Sequence, residues 1–261
     1  MIDRHLVEFR HTGASPKVAR YQSADGTGML LVGDSRTLPA IPSRSVGVIL
    51  TSPPYWVRGR GRRSVSRYAE RLAVEYGREW HRVLSLHGDL WIVIGDRHDG
   101  REWVGMDGVV ADWFRRTGWS LQAKGLWAEH PSRARWDERV NYLLRFKKAG
   151  RRSLPPRSTL CWRLPIPWSP PGSLWDATPP RVIRALLALS AEGTVLDPFF
   201  GSGTVGVVAA RMGRPWIGVE RDLTQALVAA SRLRLTRVRP ERALERFPGR
   251  KPPGKKRISE G

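Results

Sequence analysis

Cysteine is nearly absent from this sequence, and long apolar runs are missing altogether. Cys161 is the only cysteine among 261 residues, so no intramolecular disulfide and no site held by several cysteines can form. No apolar run approaches the roughly 20 residues that a membrane helix needs, and the first residues lack the apolar stretch of a signal peptide. We therefore expect a soluble, cytoplasmic protein without a metal centre.

Acidic residues are scarce relative to basic ones. Lys and Arg together number 45 against 24 Asp and Glu, a net charge of +21, and the excess is spread along most of the chain. Such a balance favours a polyanionic partner such as nucleic acid. A basic solubility surface or an Arg-rich coding bias would give the same count, so charge alone does not decide the function.

Apolar periodicity predicts strands and helices in alternation along most of the chain. Strands are predicted at 29–32, 46–50, 90–94, 119–127, 140–146, 195–196 and 216–219. Helices are predicted at 68–86, 109–116, 179–190, 204–212 and 222–235. This order is typical of one α/β domain, and the length allows a single large core with a small insert.

Two segments differ in composition from this alternating pattern. The stretch 150–172 is crowded with Pro, Arg and Trp and shows no clean periodicity, which predicts a surface insert. From Arg239 onward the chain is basic, rich in Pro and poor in apolar residues, which predicts a disordered tail.

The string DPFFGSGT at 197–204 follows a predicted strand and opens a predicted helix. Its glycines let the backbone approach a ligand, and a helix N-terminus presents free NH groups. Glu220 ends the next strand, where an acid can bind ribose hydroxyls in both NAD and S-adenosylmethionine sites. Asp197 favours the second cofactor, because a carboxylate repels a pyrophosphate and attracts an α-amino group.

A second string, TSPPYW at 51–56, follows the predicted strand 46–50. Its two prolines prevent this strand from continuing. Together with DPFFGSGT it resembles the amino-group DNA methyltransferases, bacterial modification enzymes of the cytosine-N4 and adenine-N6 type. In that family a Ser, Asp or Asn followed by Pro-Pro-aromatic is the catalytic tetrapeptide. Here it precedes the cofactor loop, which is the circularly permuted order of the β class, and the resemblance covers roughly 30–235.

The resemblance implies a Rossmann-like S-adenosylmethionine-dependent methyltransferase fold, circularly permuted, with a mainly parallel seven-stranded sheet. It implies a catalytic half at 1–149, a target-recognition insert at 150–174, a cofactor-binding half of the same domain at 175–238 and a basic disordered tail at 239–261. The strand at 29–32 should then lie beside the strand at 216–219, so that both halves form one sheet.

The cofactor that the resemblance implies is S-adenosylmethionine. Asp34 is expected to contact its adenine and Glu220 its ribose. The full set of expected cofactor residues is Asp34, Asp197, Pro198, Phe199, Gly201, Ser202, Gly203, Thr204 and Glu220.

The catalytic residues that the resemblance implies are Ser52, Pro53, Pro54 and Tyr55. An exocyclic amine is a poor nucleophile because its lone pair is delocalised into the ring, so the enzyme must accept hydrogen bonds from it. The Ser52 hydroxyl and the Pro53 carbonyl can do this, and Tyr55 offers a face on which an extruded base can stack. Methylation at carbon 5 would instead require a thiolate. Cys161 does not follow a proline, so we expect no catalytic role for it.

These observations predict methyl transfer to the N4 amino group of cytosine in DNA. Ser in the tetrapeptide is associated mainly with cytosine, while adenine N6 and an RNA substrate remain open. An NAD-dependent oxidoreductase would leave TSPPYW unexplained, and a noncatalytic basic nucleic-acid binder would not need intact Ser52, Gly201 and Glu220. The expected DNA contacts are Trp56, Arg58, Arg60, Arg62, Arg63, Arg151 and Arg152. A cognate restriction endonuclease is a further candidate partner, and both a monomer and a homodimer fit the sequence.

Overall fold

The computed structural model describes residues 19–54, 62–98, 103–128, 140–150, 161–163 and 178–238. Its strands are β1 (Arg20–Gln22), β2 (Gly28–Val32), β3 (Val46–Thr51), β4 (Leu84–Gly95), β5 (Arg97–His98), β6 (Trp103–Val104), β7 (Trp119–Ala128), β8 (Val140–Lys148), β9 (Cys161–Arg163), β10 (Val195–Asp197), β11 (Trp216–Glu220) and β12 (Thr236–Val238). Its helices are α1 (Arg62–Arg71), α2 (Gly77–Val83), α3 (Met106–Arg116), α4 (Pro180–Ala188), α5 (Thr204–Arg211) and α6 (Leu223–Arg232), with a π-helical segment (Leu72–Tyr76) between α1 and α2. None of the helices within these ranges has the length and apolar character needed to cross a membrane.

Within the described ranges, ten strands form one mixed sheet in the order β12-β1-β2-β11-β10-β3-β4-β8-β7-β9, and β5 pairs with β6 in a separate ribbon. The middle strands β2, β11, β10, β3 and β4 are parallel neighbours, whereas the pairs β12–β1, β1–β2, β4–β8 and β8–β7 are antiparallel. The prediction of a seven-stranded sheet was therefore wrong in strand number, and the parallel pairing that was predicted is concentrated in the middle of the sheet. The additional strands β1, β9 and β12 have three residues each, too few to show a period.

The two halves of the chain meet where β2 pairs with β11 in parallel. Met29 lies opposite Ile217 and Leu31 opposite Val219, which confirms the predicted pairing of these two strands. Gly28 is the first residue of β2, and a glycine is needed there because a Cβ atom would lie 2.3 Å from the Trp216 indole. One continuous sheet thus joins elements that are far apart in the sequence.

Helices cover both faces of the sheet, so its middle strands are buried on both sides. Along β4, Leu90 and Ile92 belong to the apolar cluster beneath α1, α2 and α3, whereas Trp91 and Val93 belong to the cluster beneath α4, α5 and α6. This alternation follows from the two-residue period of a strand. Burial on both sides also explains why β4 is a continuous apolar run.

The predicted helix at 68–86 differs from the structure at both ends. The helical stretch begins at Arg62, and α2 ends at Val83, where Leu84 turns to extended backbone with φ −66° and ψ 138°. Leu84 pairs with Val46 of β3, so the last three predicted helical residues belong to the twelve-residue strand β4. Pairing between strands outweighs local helical periodicity here.

The predicted recognition insert at 150–174 contributes β9 at the sheet edge, where it pairs in parallel with β7. Its other residues from 151 onward, and the predicted tail at 239–261, lie outside the described residues. The division of the chain into these segments therefore stays a proposal.

Candidate active site

Four parallel strands of the sheet end side by side at one cavity. Asp34 follows β2, Glu220 ends β11, Asp197 ends β10 and Ser52 follows β3, and these strands are neighbours in that order. The cavity has a volume of about 490 Å³, within the usual range for small-molecule sites. Ligands of open α/β sheets bind at the carboxyl ends of the strands, where all four residues lie.

The glycine loop at 197–204 turns sharply from β10 into α5. Gly201 and Gly203 have left-handed backbone, with φ of 50° and 82°, and the Gly203 NH donates to the Phe200 carbonyl at 2.8 Å. A Cβ atom at Gly201 would meet nothing within 4 Å, so this glycine is favoured by its backbone conformation and not by crowding. The loop therefore runs along the cavity wall with open space beside Gly201.

The Glu220 carboxylate lies beside this loop and is oriented by two backbone donors. The Gly201 NH donates to Oε2 at 2.7 Å, and the Asp222 NH donates to Oε1 at 2.8 Å. Both contacts hold the side chain at the cavity wall. The carboxylate is thus placed without any contribution from a bound ligand.

Asp34, which follows β2 at the cavity wall, forms a close ion pair with Arg36. The Arg36 backbone NH and its Nε each donate to the carboxylate at 2.9 Å. Burial by itself would raise the pKa of Asp34, but the hydrogen bonds and charge of Arg36 outweigh it, so the pKa lies below its ordinary value. Asp34 is therefore an ionised acceptor at neutral pH.

Asp197 is the most deeply buried acid of the cavity, with 4% of its surface exposed. Burial raises its pKa to about 7, and the negative charge of Glu220 acts in the same direction. Among the described residues, its two donors, the Thr51 hydroxyl at 2.9 Å and the Phe199 NH at 3.1 Å, both reach Oδ1. Oδ2 is therefore the oxygen available to a cationic ligand group.

The catalytic loop that the sequence predicts enters the same cavity. Ser52 is half-buried and Pro54 is exposed, and both line the cavity, while Pro53 is buried between them. The Tyr68 hydroxyl of α1 donates to the Pro54 carbonyl at 3.1 Å. The loop is thus tied to the helix that follows it in the sequence.

The structure brings most of the predicted site residues together. The predicted cofactor residues that line the cavity are Asp34, Asp197, Pro198, Phe199, Gly201, Ser202, Thr204 and Glu220. Gly203 does not line it but forms the turn. The predicted residues Tyr55, Trp56, Arg58, Arg60, Arg151 and Arg152 lie outside the described residues, and for Arg62 and Arg63 only the backbone at the start of α1 is described.

Sequence reasoning missed several residues that line the cavity. They are Gly33, Ser35, Leu50, Thr51, Tyr76, Val93, Thr178, Ile183, Phe200, Val205, Val219, Arg221, Asp222 and Gln225. Gly33, Ser35, Arg221 and Asp222 could have been predicted, because they come directly after the predicted strands that became β2 and β11. Tyr76 could not, because it reaches the cavity from the π-helical segment, where its ring lies 5.0 Å from that of Phe199.

Comparison with known proteins identifies relatives of the chain. A family model described as DNA methylase, of the N6 and N4 methyltransferases, matches residues 176–230. The type II methyltransferase M.Cfr9I of Citrobacter freundii is 28% identical over 267 residues, which cover 78% of this chain and 87% of the relative. The chain is therefore similar to DNA methyltransferases over most of its length. The resemblance indicated by TSPPYW and DPFFGSGT is thereby confirmed at the level of the family.

Solved structures of other methylases share the fold. TTHA0409 of Thermus thermophilus, a candidate DNA modification methylase solved with S-adenosyl-L-methionine, is 28% identical at a TM-score of 0.62, covering 77% of this chain and 91% of its own. The cytosine-N4-specific PvuII DNA methyltransferase has a TM-score of 0.65 at 19% identity, covering 83% and 89%, and supports the fold alone. The predicted Rossmann-like methyltransferase fold is confirmed, with the larger sheet described above.

Proposed function

We propose that this methylase transfers a methyl group from S-adenosylmethionine to the N4 amino group of cytosine in DNA. The observation that supports the proposal most is that one cavity is lined both by the glycine loop with Glu220 and by Ser52 and Pro54. A methyl donor held by the first set would share this cavity with a base held by the second. The proposed reaction requires this proximity.

The acids around the cavity suit the polar groups of S-adenosylmethionine. Asp34 is an ionised acceptor suited to the adenine amino group, and the Glu220 carboxylate is suited to ribose hydroxyls. Asp197 offers Oδ2 to the cationic amino group of the methionine part, and that charge would favour the ionised form of this buried acid. Four carboxylates near a pyrophosphate, counting Asp222, would repel it, which disfavours NAD.

The bound cofactor supplies an electrophilic methyl group on a positively charged sulfur. In our proposal, Ser52 Oγ and the Pro53 carbonyl accept hydrogen bonds from the target amine and draw its lone pair out of conjugation with the ring. The amine would attack the methyl carbon directly as the carbon–sulfur bond breaks. S-adenosylhomocysteine would leave and the surplus proton of the amine would pass to solvent, so no enzyme nucleophile is needed. The hydrogen bond from Tyr68 to the Pro54 carbonyl restrains the loop during this step.

Cytosine is proposed as the target base because the tetrapeptide begins with Ser52, and adenine N6 is the alternative acceptor. Nucleoside mass spectrometry of DNA treated with the protein and S-adenosylmethionine should find N4-methylcytosine. N6-methyladenine as the main product would refute the assignment of cytosine as the target base, but it would still support an amino-methyltransferase. DNA without any methylated base, under conditions in which the cofactor binds, would refute the methyltransferase.

Ser52→Ala tests the proposed role of the loop. We expect its turnover to fall by roughly one to three orders of magnitude, because a transition-state acceptor is removed, while calorimetry shows nearly unchanged cofactor affinity. Ser45→Ala is the matched control, since the Ser45 hydroxyl donates to the Pro42 carbonyl on an exposed turn outside the cavity. Full activity in Ser52→Ala would remove Ser52 from catalysis.

We also propose DNA contacts by the segments 57–67 and 150–174, and a cognate restriction endonuclease as the biological counterpart. The second part is supported by the relative M.Cfr9I, which is named a type II methyltransferase. An NAD-dependent oxidoreductase is the competing enzyme class. Stabilisation in a thermal shift by S-adenosylhomocysteine and not by NAD would support the methylase, and the reverse would contradict it.

A further inference from the structure

The Thr51 hydroxyl connects the two functional loops inside the sheet. Thr51 ends β3 directly before Ser52, and its Oγ1 donates to Oδ1 of Asp197, which ends the neighbouring strand β10. The two residues are 146 positions apart in the sequence and are 1% and 4% exposed. A water-excluded hydrogen bond therefore joins the residue before the catalytic loop to the first residue of the glycine loop.

We propose that Thr51 is a positioning residue that couples occupation of the cofactor site to the placement of Ser52. The inference rests on the proposed function, in which Asp197 binds the cationic amino group of the cofactor. It assigns a role to Thr51, the first residue of TSPPYW, which was not among the predicted catalytic residues. Thr51 lines the cavity, and its proposed role acts through its hydrogen bond to Asp197.

The hydrogen bonds of Asp197 explain how a ligand at one carboxylate oxygen can affect Thr51 at the other. Both of its described donors reach Oδ1, so the carboxylate cannot rotate without breaking the bonds from Thr51 and Phe199 together. A cation at Oδ2 favours the ionised carboxylate, and an ionised acceptor forms a shorter and stronger hydrogen bond than a neutral one. Cofactor binding would therefore tighten the Thr51 bond and restrain the backbone at Ser52.

The electrostatic surroundings determine how the coupling depends on pH. Glu220 on β11 opposes ionisation of Asp197, together with burial, whereas the Thr51 hydroxyl and the Phe199 NH favour it. The other titratable groups lining the cavity, within the described residues, are Asp34, Tyr76, Arg221 and Asp222. Loss of the Thr51 hydroxyl should raise the pKa of Asp197 further, and cofactor binding should then require a higher pH.

Cofactor affinity measured against pH, without DNA, tests the link. Wild-type affinity for S-adenosylmethionine should rise through about pH 7, as Asp197 ionises. In Thr51→Val the midpoint should move up by about one pH unit, because a hydrogen bond to the charged form is lost. Thr51→Ser keeps the hydroxyl and should retain the wild-type midpoint.

Thr117→Val is the matched control for loss of a threonine hydroxyl, because Thr117 donates to the Phe114 carbonyl at the end of α3, outside the cavity. It should behave as the wild type. An unchanged midpoint in Thr51→Val would overturn the proposal. Should Thr51→Val not fold, Thr51→Ala removes the same hydroxyl without a branched apolar replacement, and its midpoint decides in the same way.

Turnover provides the second readout. At saturating cofactor and DNA, and at a pH above the shifted midpoint, Thr51→Val should lower kcat roughly 10-fold because Ser52 is less well placed. The KM for DNA should change little, and Thr51→Ser should restore kcat. Wild-type kcat in Thr51→Val would overturn the positioning role.

The two proposals can fail separately. A wild-type protein that binds no S-adenosylmethionine would overturn the proposed function. The link would then still be tested by the carboxyl ¹³C titration of Asp197 in the ligand-free protein, with the signal assigned by its loss in Asp197→Asn. A higher midpoint in Thr51→Val supports the link, and an equal midpoint overturns it.

Discussion

At Asp197, ligand binding and folding stability favour different protonation states of the carboxyl group. It is buried beneath the glycine loop, and burial raises its pKa to about 7. In the unfolded chain the same carboxyl would ionise near its ordinary value of about 4. At a pH between these two pKa values, the carboxyl group is protonated in the folded protein and ionised in the unfolded chain.

The free energy of unfolding should therefore depend on pH through Asp197. Its contribution is fully present below about pH 4 and is lost as the pH rises to about 7, because the unfolded state then binds fewer protons than the folded state. From pH 5 to pH 8 we expect the ligand-free wild type to lose about 2 to 3 kcal/mol more stability than Asp197→Asn.

Urea unfolding of both proteins at the two pH values measures this difference. Saturating S-adenosylmethionine should reduce the loss in the wild type, since a cation at the carboxylate favours its ionised form. Parallel pH dependence in the wild type and the variant would show that Asp197 does not titrate in this range.

At the scale of elements, the glycine loop depends on how closely β11 and α5 pack. The Phe200 ring stacks on the Trp216 indole, with centroids 5.3 Å apart and ring planes at 12°. It also lies over Gly218, where a Cβ atom would come within 2.4 Å of the ring. A side chain at position 218 would have to displace Phe200 and, with it, the loop.

Gly218→Ala should therefore lower the free energy of unfolding by about 1 to 3 kcal/mol through overpacking, and it should weaken cofactor binding by moving the loop. Chemical denaturation and calorimetry measure the two effects. Gly108→Ala is the control, because a Cβ atom there meets nothing within 4 Å on the exposed side of α3. It should stabilise by about 0.5 to 1 kcal/mol, as expected for glycine in a helix. Equal effects of the two substitutions would contradict the packing argument.

At the scale of the whole molecule, the net charge of +21 is the dominant feature. It is consistent with the proposed DNA substrate, because each phosphate contact by Lys or Arg releases counterions and makes the affinity salt-dependent. The basic residues after Pro240 contribute to this charge although they lie outside the described part of the chain.

Deleting the residues after Pro240 should lower the affinity for DNA and flatten its dependence on salt, because fewer cationic side chains release counterions. Turnover at saturating DNA should be retained, since the cavity is built from residues before this point. Fluorescence anisotropy over a salt series measures both quantities. An unchanged affinity and slope would mean that the charge of the tail serves another purpose.

The sequence by itself determined the parts of this protein that depend on local pattern. The two loops, the alternation of strands and helices, and the pairing of 29–32 with 216–219 follow from apolar periodicity, from proline and glycine chemistry and from the family resemblance. Each of these signals lies within one or two short segments. They also sufficed to predict ten of the residues that line the cavity, among them Ser52, Asp197 and Glu220.

The tertiary structure alone decided what depends on residues distant in the sequence. The short outer strands β1, β9 and β12 have too few residues to show a period and form only against their neighbours. Tyr76 reaches the cavity because the π-helical segment is packed against the sheet. Thr51 and Asp197 are brought together because β3 and β10 are adjacent, an adjacency encoded by the packing of the whole sheet and by no single motif.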